Sequence, residues 1–282
     1  MAVRVVTDST SDLPPGVAQS LGVTVVPCYI TFGTEDLKDG VDLSGDQFYE
    51  RLVNGSVFPK TSQPSVGDFK RVYEEVGPGS DGIVSVHVSS KVSGTYNSAT
   101  QAVPEAAVDC PIEVIDTYQA SLAVGLIVRE TARAAQAGGD FETVARVARD
   151  TAARSEFVVL LDTLEYLEKG GRVGKAAALL GGLLRIRPLI ILRDGAVDQL
   201  AKARSRKGGI ERLLDSAREF APLDEVGVLH TTTPDEAEAL SAQVRDLVPG
   251  GQEPLLSRAG PTIGTYAGPG ALGIALVRSD RA

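Results

Sequence analysis

Apolar and polar positions along the first half of the chain alternate between short strand-like runs and longer segments with helical spacing. The apolar runs predict strands at 3–6, 23–26, 83–88 and 113–115. Helices are expected at 44–52, 69–76, 95–103, 121–137 and 141–155. Because strands that alternate with helices are typical of a parallel sheet, this half predicts an α/β fold.

The second half mixes strands and helices in a less regular order. Strands are predicted at 157–161, 226–229, 255–257 and 273–277, and a hairpin at 189–192 and 197–201 around Asp194-Gly195. Helices are expected at 163–169, 175–184, 209–220 and 235–247. We place a boundary at about residue 155, which gives an N-terminal domain of residues 1–155 and a C-terminal domain of residues 156–282.

Two predicted helices in the first half carry capping signals. Asp12 precedes Pro14 and Pro15, an order that favours a helix capped by Asp12. Ser65 and Asp68 have the spacing of a capping box at the start of the helix that follows.

Composition excludes several functional classes. The net charge of −9 over 282 residues argues against broad nucleic-acid binding, although basic residues cluster between Lys169 and Lys207. No uncharged apolar stretch of membrane-spanning length and no signal-peptide pattern is present, so a cytoplasmic protein without integral membrane association is expected. Cys28 and Cys110 lack metal-ligand spacing. Two reduced thiols are favoured over a single disulfide, and no metal or cofactor is predicted.

Two glycine-rich segments match nucleotide-binding patterns only formally. Gly268-Pro269-Gly270-Ala271-Leu272-Gly273 has the spacing of a dinucleotide fingerprint, but a strand-like run follows it where that motif requires a helix. Gly170-Gly171-Arg172-Val173-Gly174-Lys175-Ala176 is one residue short of a P-loop, and Ala stands where a Ser or Thr would bind magnesium. Neither segment predicts a nucleotide site.

Two hydroxyl-rich loops carry the clearest functional signal. They are Thr61-Ser62-Gln63-Pro64-Ser65 and Ser89-Ser90-Lys91-Val92-Ser93-Gly94-Thr95-Tyr96-Asn97-Ser98. Neutral hydroxyl donors and the N–H groups of a helix N-terminus can bind a carboxylate or a phosphate. A nucleophilic Ser needs an adjacent base, and the chain has two histidines, His87 and His230. The loops therefore favour anion binding over bond cleavage; the alternative is that they only cap helices and turns.

A third polar segment, Thr7-Asp8-Ser9, follows the first predicted strand. Ligands of open α/β sheets bind beyond the carboxyl ends of the strands, so the three segments are expected to converge at one crevice. Asp8 is either a site residue or the acceptor that holds the turn at residues 9–11. His87 alternates within a strand and is expected to be structural.

In the order and spacing of its motifs the chain resembles the DegV family, the fatty-acid-binding subunits of bacterial fatty acid kinase. The similarity runs nearly end to end. It includes residues 7–13, 61–65, 89–99, 164–172, 203–207 and 260–270.

The resemblance implies a Rossmann-like N-terminal domain and a smaller α/β C-terminal domain that closes over a long-chain fatty acid. It implies that Thr61 and Ser93 bind the carboxylate, with Ser62 and Gly94 close by. The other positions assigned to the site are Asp8, Ser9, Ile263 and Tyr266 at the ligand, and Arg172 and Arg204 facing a partner. The chain would not itself be an enzyme. A separate kinase subunit would bring ATP and magnesium, and the acyl phosphate would pass to phospholipid synthesis.

One position departs from the family pattern. Members commonly carry His after the Gly-Thr of the C-terminal motif, where this chain has Tyr266. A His can be cationic or shuttle a proton, whereas Tyr at neutral pH is a neutral donor or acceptor. A lipid carrier or sensor without a kinase partner therefore stays open as an alternative. The other alternative is a serine hydrolase that uses Ser93 in the same crevice, which would need a base beside Ser93 that the sequence does not clearly supply. The helix expected at 176–184 and the residues near Ile263 are candidates for lining an acyl tunnel.

Overall fold

The computed structural model describes residues 2–179 and 186–280. The strands of this part of the chain are β1 (Arg4–Asp8), β2 (Thr24–Val26), β3 (Tyr29–Phe32), β4 (Glu35–Lys38), β5 (Lys60–Ser62), β6 (Ile83–His87), β7 (Ile112–Asp116), β8 (Ser155–Leu160), β9 (Arg187–Arg193), β10 (Ala196–Ala203), β11 (Leu223–His230), β12 (Leu255–Arg258) and β13 (Leu272–Arg278). The α-helices are α1 (Pro15–Ser20), α2 (Gly45–Asn54), α3 (Val66–Val76), α4 (Thr95–Ala102), α5 (Leu122–Gln136), α6 (Phe141–Arg154), α7 (Glu165–Lys169), α8 (Arg206–Glu219), α9 (Pro234–Val244) and α10 (Pro261–Ala267).

Four strands form a parallel sheet in the order β2-β1-β6-β7, which confirms the predicted α/β fold. The strands β1 and β6 lie in the middle of the sheet and are almost entirely buried, including their polar residues Thr7, Asp8, Ser85 and His87. In the register of these two strands Thr7 pairs with Val86. The segment after β1 and the hydroxyl-rich loop after β6 therefore begin at the same edge of the sheet.

The second sheet has six strands in the order β10-β9-β8-β13-β11-β12. Strands β11 and β12 pair in parallel, and the other neighbours pair antiparallel. The predicted hairpin is present as β9 and β10, with Asp194 and Gly195 at positive φ in its turn. Strand β8 begins at Ser155, next to the proposed domain boundary, and that boundary stays a prediction.

Three short strands form a small antiparallel sheet, in the order β4-β3-β5, that the sequence pattern did not predict. Their side chains are mostly polar or half-exposed, so no apolar run marks them. Thr61 of the edge strand β5 pairs with Ile30. The first hydroxyl-rich loop thus starts from a strand and not from an irregular segment.

Helix α5 packs between the two larger sheets. Val124 and Ile127 belong to the core beneath the parallel sheet, whereas Leu122 and Leu126 belong to the core beneath the six-stranded sheet. Because both faces are covered, this helix lacks the wide polar face of a surface helix.

The first residues of three helices can be compared with the predictions. Two predictions, for α1 and α8, were wrong, and the one for α3 is confirmed. Helix α1 begins at Pro15 without a cap from Asp12, whose carboxylate instead accepts a hydrogen bond from the Gly260 backbone N–H. Helix α8 begins at Arg206, three residues before the predicted start, because Ser205 caps it. The capping box of α3 is confirmed.

Two C-terminal segments also differ from the expectations. The helix predicted at 175–184 lies partly outside the described residues, and its described beginning is a short 3-10 helix, Gly174–Leu179. Helix α10 was not predicted, because Pro261 and three glycines within nine residues are typical of a loop.

The two cysteines agree with the expectation of reduced thiols. Cys28 and Cys110 are both free. Across residues 2–179 and 186–280, every helix is too short or too polar to cross a bilayer.

Candidate functional site

A cavity lies where the loops at the carboxyl edge of the parallel sheet face the six-stranded sheet. The hydroxyl-rich segments meet there, since Thr61, Ser62 and Ser93 all line it. Ile263 and Tyr266 of α10 line the same cavity. Five of the eight predicted ligand-binding residues are therefore close together. Their assignment as ligand-binding residues stays a prediction.

The hydroxyl groups of Thr61 and Tyr266 are hydrogen-bonded to each other. Thr61 lies on edge strand β5, and Tyr266 lies on α10, 205 residues later in the chain. Each hydroxyl has one proton to donate and can accept as well. Each hydroxyl can also turn and donate to a neighbouring anion, so the pair offers two neutral donors at this end of the cavity.

The second hydroxyl-rich loop lies against the first through a glycine. Ser93 Oγ is 2.8 Å from Thr95 Oγ1 and also accepts a hydrogen bond from the Thr95 backbone N–H. At Gly94, a Cβ atom would lie 2.7 Å from Nε2 of Gln63. Gly94 is not among the residues that line the cavity. It contributes by letting the two loops approach each other.

Among the residues that the structure describes, Arg172 is the charged one in the cavity wall. Its guanidinium carbon lies 5.3 Å from the centre of the Tyr266 ring, and its Nε donates to the Val92 carbonyl at 3.3 Å. The side chain is largely exposed, so it adds positive charge at the mouth of the cavity. Arg204, the other predicted partner-facing residue, is exposed and lies outside the cavity lining.

Asp8 and Ser9 lie behind the cavity wall and not on it. Asp8 is fully buried, accepts hydrogen bonds from the Thr10 backbone and hydroxyl, and lies 2.8 Å from Nδ1 of His87. Nε2 of His87 lies 2.7 Å from the Ser85 hydroxyl, so the histidine is structural, as expected. Ser9 donates to Asp39. A direct ligand contact by Asp8 or Ser9 stays a prediction that this placement does not favour.

The apolar wall of the cavity comes from β8, β9 and β10, which sequence reasoning did not single out. Alternate residues Phe157, Val159 and Leu161 face the cavity, together with Ile190 and Leu192. Their neighbours along the strands face the opposite core, beneath α8 and α9. The signal in the sequence was a pair of runs, 157–161 and 189–192, that are apolar at every position, because such runs need cover on both faces.

Four polar lining residues were also missed. They are Thr10, Cys28, Ser121 and Thr262. Burial raises the pKa of the Cys28 thiol, so the group stays protonated at neutral pH. The hydroxyls of the other three residues donate to the buried carboxylates of Asp8, Asp12 and Asp39. The bonds of Ser121 and Thr262 join distant parts of the chain, so no local pattern indicates them. The Thr10 bond is local, and it is the turn contact that the sequence offered as the alternative role of Asp8.

Comparison with known proteins gives a family match over residues 2–279, to the DegV family, which is described as a family of uncharacterised proteins. A DegV domain-containing protein of Streptomyces coelicolor is 37% identical over 276 residues, which cover 96% of this chain and 97% of that protein. The DegV protein of Bacillus subtilis is 31% identical, with 97% of this chain and 98% of that protein covered.

Solved structures of fatty-acid-binding DegV proteins share the fold. A fatty-acid-binding DegV family protein of Thermus thermophilus has a TM-score of 0.88 at 32% identity and covers 99% of this chain and 100% of its own. A stearic-acid-binding protein of Eubacterium ventriosum has a TM-score of 0.88 at 27% identity, with 98% of both chains covered. Sequence and structure agree over almost the whole length, and the chain belongs to the DegV family.

Proposed function

We propose that the protein binds a long-chain fatty acid in this cavity and presents the carboxylate to a separate ATP-dependent kinase, which forms the acyl phosphate. The observation that carries the proposal is the cavity itself, which joins a cluster of neutral hydroxyls to a wall of apolar side chains. In the proposed complex Thr61, Ser93 and Tyr266 donate to the carboxylate. The tail lies along the cavity-facing residues of β8–β10, which include Phe157 and Val159.

In this proposal the apolar wall of the cavity provides most of the affinity, and the hydroxyl groups provide the selectivity for the head group. A sixteen-carbon tail gains about 0.8 kcal/mol per buried CH₂, or roughly 12 kcal/mol before the costs of binding. A hydrogen bond to a charged head group contributes about 1.5–3 kcal/mol. Tail burial would therefore dominate the affinity, and the hydroxyls would select a carboxylate over other head groups.

Exposure of the head-group end supports presentation to a partner. Ser62, Gln63 and Arg172 are exposed beside the half-buried Thr61 and Tyr266. A second protein can therefore reach the carboxylate end while the tail stays covered. In this proposal the protein supplies the bound substrate, and the kinase subunit supplies ATP, magnesium and the catalytic groups.

A carrier or sensor without a kinase partner is the second candidate, and Tyr266 is the observation that favours it. The neutral phenol at this position cannot carry the positive charge that a histidine could place beside a developing acyl phosphate. A hydrolase is less well supported. Ser93 is bonded to Thr95, and His87 is held by Asp8 and Ser85.

Native mass spectrometry of the purified protein, followed by denaturation and identification of released lipid, tests ligand binding. One fatty acid per chain, or stoichiometric uptake of added hexadecanoate by delipidated protein, is the expected result. An empty protein that takes up no fatty acid would refute the proposal. Acyl-phosphate formation from ATP with a DegV-associated kinase, measured for the wild type and Tyr266→His, then separates the two candidates. A carrier without a kinase partner would give no product in either case.

A further inference from the structure

Helix α10 reaches the cavity from a distant part of the chain. It connects β12 to β13 of the six-stranded sheet, yet it packs against α2 and β5 at the small sheet. Gly264 allows this close approach, because a Cβ there would lie 2.6 Å from the Tyr49 hydroxyl. The position of Tyr266 relative to Thr61 therefore depends on how α10 is held.

Two buried carboxylates hold the first turn of α10. A helix of seven residues is marginal by itself, and its first N–H groups need acceptors, which Gly260 at the N-cap cannot supply. Asp39 Oδ2 accepts hydrogen bonds from the Thr262 backbone N–H at 3.1 Å and the Thr262 hydroxyl at 2.5 Å. Asp12 Oδ1 accepts from the Gly260 backbone N–H at 2.8 Å. The exposed fractions of Asp39 and Asp12 are 4% and 7%.

The same oxygen of Asp39 accepts a third hydrogen bond, from the Ser9 hydroxyl at 3.0 Å. Three donors on one oxygen fit an ionised carboxylate, whose hydrogen bonds are stronger than those of a neutral acceptor. Burial raises the pKa of Asp39 to about 6, so its charge at neutral pH is maintained at the expense of folding stability. Because the charge of Asp39 lowers the folding stability at neutral pH, we expect its role to lie at the cavity, which it reaches through Thr262 of α10.

We infer that Asp39, with Asp12 beside it, is a positioning residue that fixes α10 so that Tyr266 stays within hydrogen-bonding reach of Thr61 at the head-group end of the cavity. The inference rests on the proposed fatty-acid function. Asp39 does not line the cavity and acts through Thr262, which does. Discrimination of the head group, rather than affinity for the tail, should therefore depend on Asp39.

Calorimetric titration of delipidated protein with hexadecanoate and with hexadecan-1-ol separates these two quantities. Asp39→Ala removes the acceptor and should weaken hexadecanoate binding by about tenfold or more, whereas binding of the alcohol should change by less than about threefold. Asp39→Asn keeps an acceptor oxygen and should restore hexadecanoate binding to within about threefold of the wild type. Asp36→Ala is the matched control, since Asp36 is an exposed carboxylate on β4.

A second variant covers the case in which Asp39→Ala does not fold. Ser9→Ala removes one of the three donors and should weaken hexadecanoate binding in the same direction by about two- to fivefold. If either folded variant keeps the wild-type ratio of the two dissociation constants, the positioning role is overturned and the proposed function stands. A wild-type protein that binds neither ligand overturns the proposed function and the positioning role together.

Discussion

Removing the hydroxyl of Tyr266 tests the head-group site directly. The variant Tyr266→Phe keeps the ring that lies against Arg172 and Gly170 and deletes only the group bonded to Thr61. If both hydroxyls turn toward the carboxylate, the variant loses one hydrogen bond to a charged group, about 1.5–3 kcal/mol. Since 1.4 kcal/mol is tenfold, the dissociation constant for hexadecanoate should rise by roughly 10- to 150-fold.

Calorimetric titration of delipidated protein measures this loss. Binding of hexadecan-1-ol should weaken less, because a bond between neutral groups contributes only about 0.5–1.5 kcal/mol. Tyr118→Phe is the control, because Tyr118 is an exposed tyrosine that does not line this cavity. A Tyr266→Phe protein that binds hexadecanoate within about threefold of the wild type would refute the two-donor reasoning.

Three further predictions concern the hairpin, the apolar wall and pH. Gly195→Ala forces Ala to φ near +78° with its Cβ 2.6 Å from the Tyr118 ring, so its thermal midpoint should fall further than that of Gly250→Ala, where φ is +87° and the space is open. Val159→Asp should abolish uptake of hexadecanoate in mass spectrometry, because it buries a charge in the tail wall, while Val57→Asp on the surface should not. Because the pKa of Asp39 is raised to about 6, the folded state binds an extra proton between this value and the unfolded value near 3.8. The contribution of Asp39 to the free energy of unfolding should therefore increase by about 1 kcal/mol from pH 7 to pH 5. Urea unfolding at both pH values measures this increase in the wild type, and the Asp39→Asn variant should lack it.

Elements that are fixed by local pattern were predictable from the sequence. Strands β1 and β6 carry the apolar pairs Val5-Val6 and Ile83-Val84 because the parallel sheet is covered on both faces. The capping box of α3 and the turn at Asp194 and Gly195 are local as well. Strand ends were less predictable: β1 continues to Asp8, a polar residue that is tolerated in the strand because Thr10 and His87 satisfy its carboxylate.

Elements that depend on distant contacts were not predictable. Strands β4 and β5 of the small sheet are mostly polar, and α10 begins with a proline and contains Gly264, so these elements lack a local signal. Helix α10 is held by hydrogen bonds that its first residues donate to the carboxylates of Asp12 and Asp39, more than 200 residues away in the chain. Asp12 looked like a helix cap because its local context fits one.

The same distinction explains why the hydroxyl-rich end of the cavity could be predicted and its apolar wall, the proposed tail wall, could not. The two hydroxyl-rich loops are local motifs, so their capacity to donate hydrogen bonds can be predicted from the sequence before the fold is known. The tail wall exists only once β8, β9 and β10 pair and present alternate residues to one side. Val159 faces the cavity while Val158 and Leu160 pack in the opposite core, so a change of size at Val159 reshapes the cavity without disturbing that core. If the proposed function holds, substitutions at Val159, Ile190 and Leu192 should therefore change the preferred acyl-chain length while Thr61 and Ser93 stay unchanged.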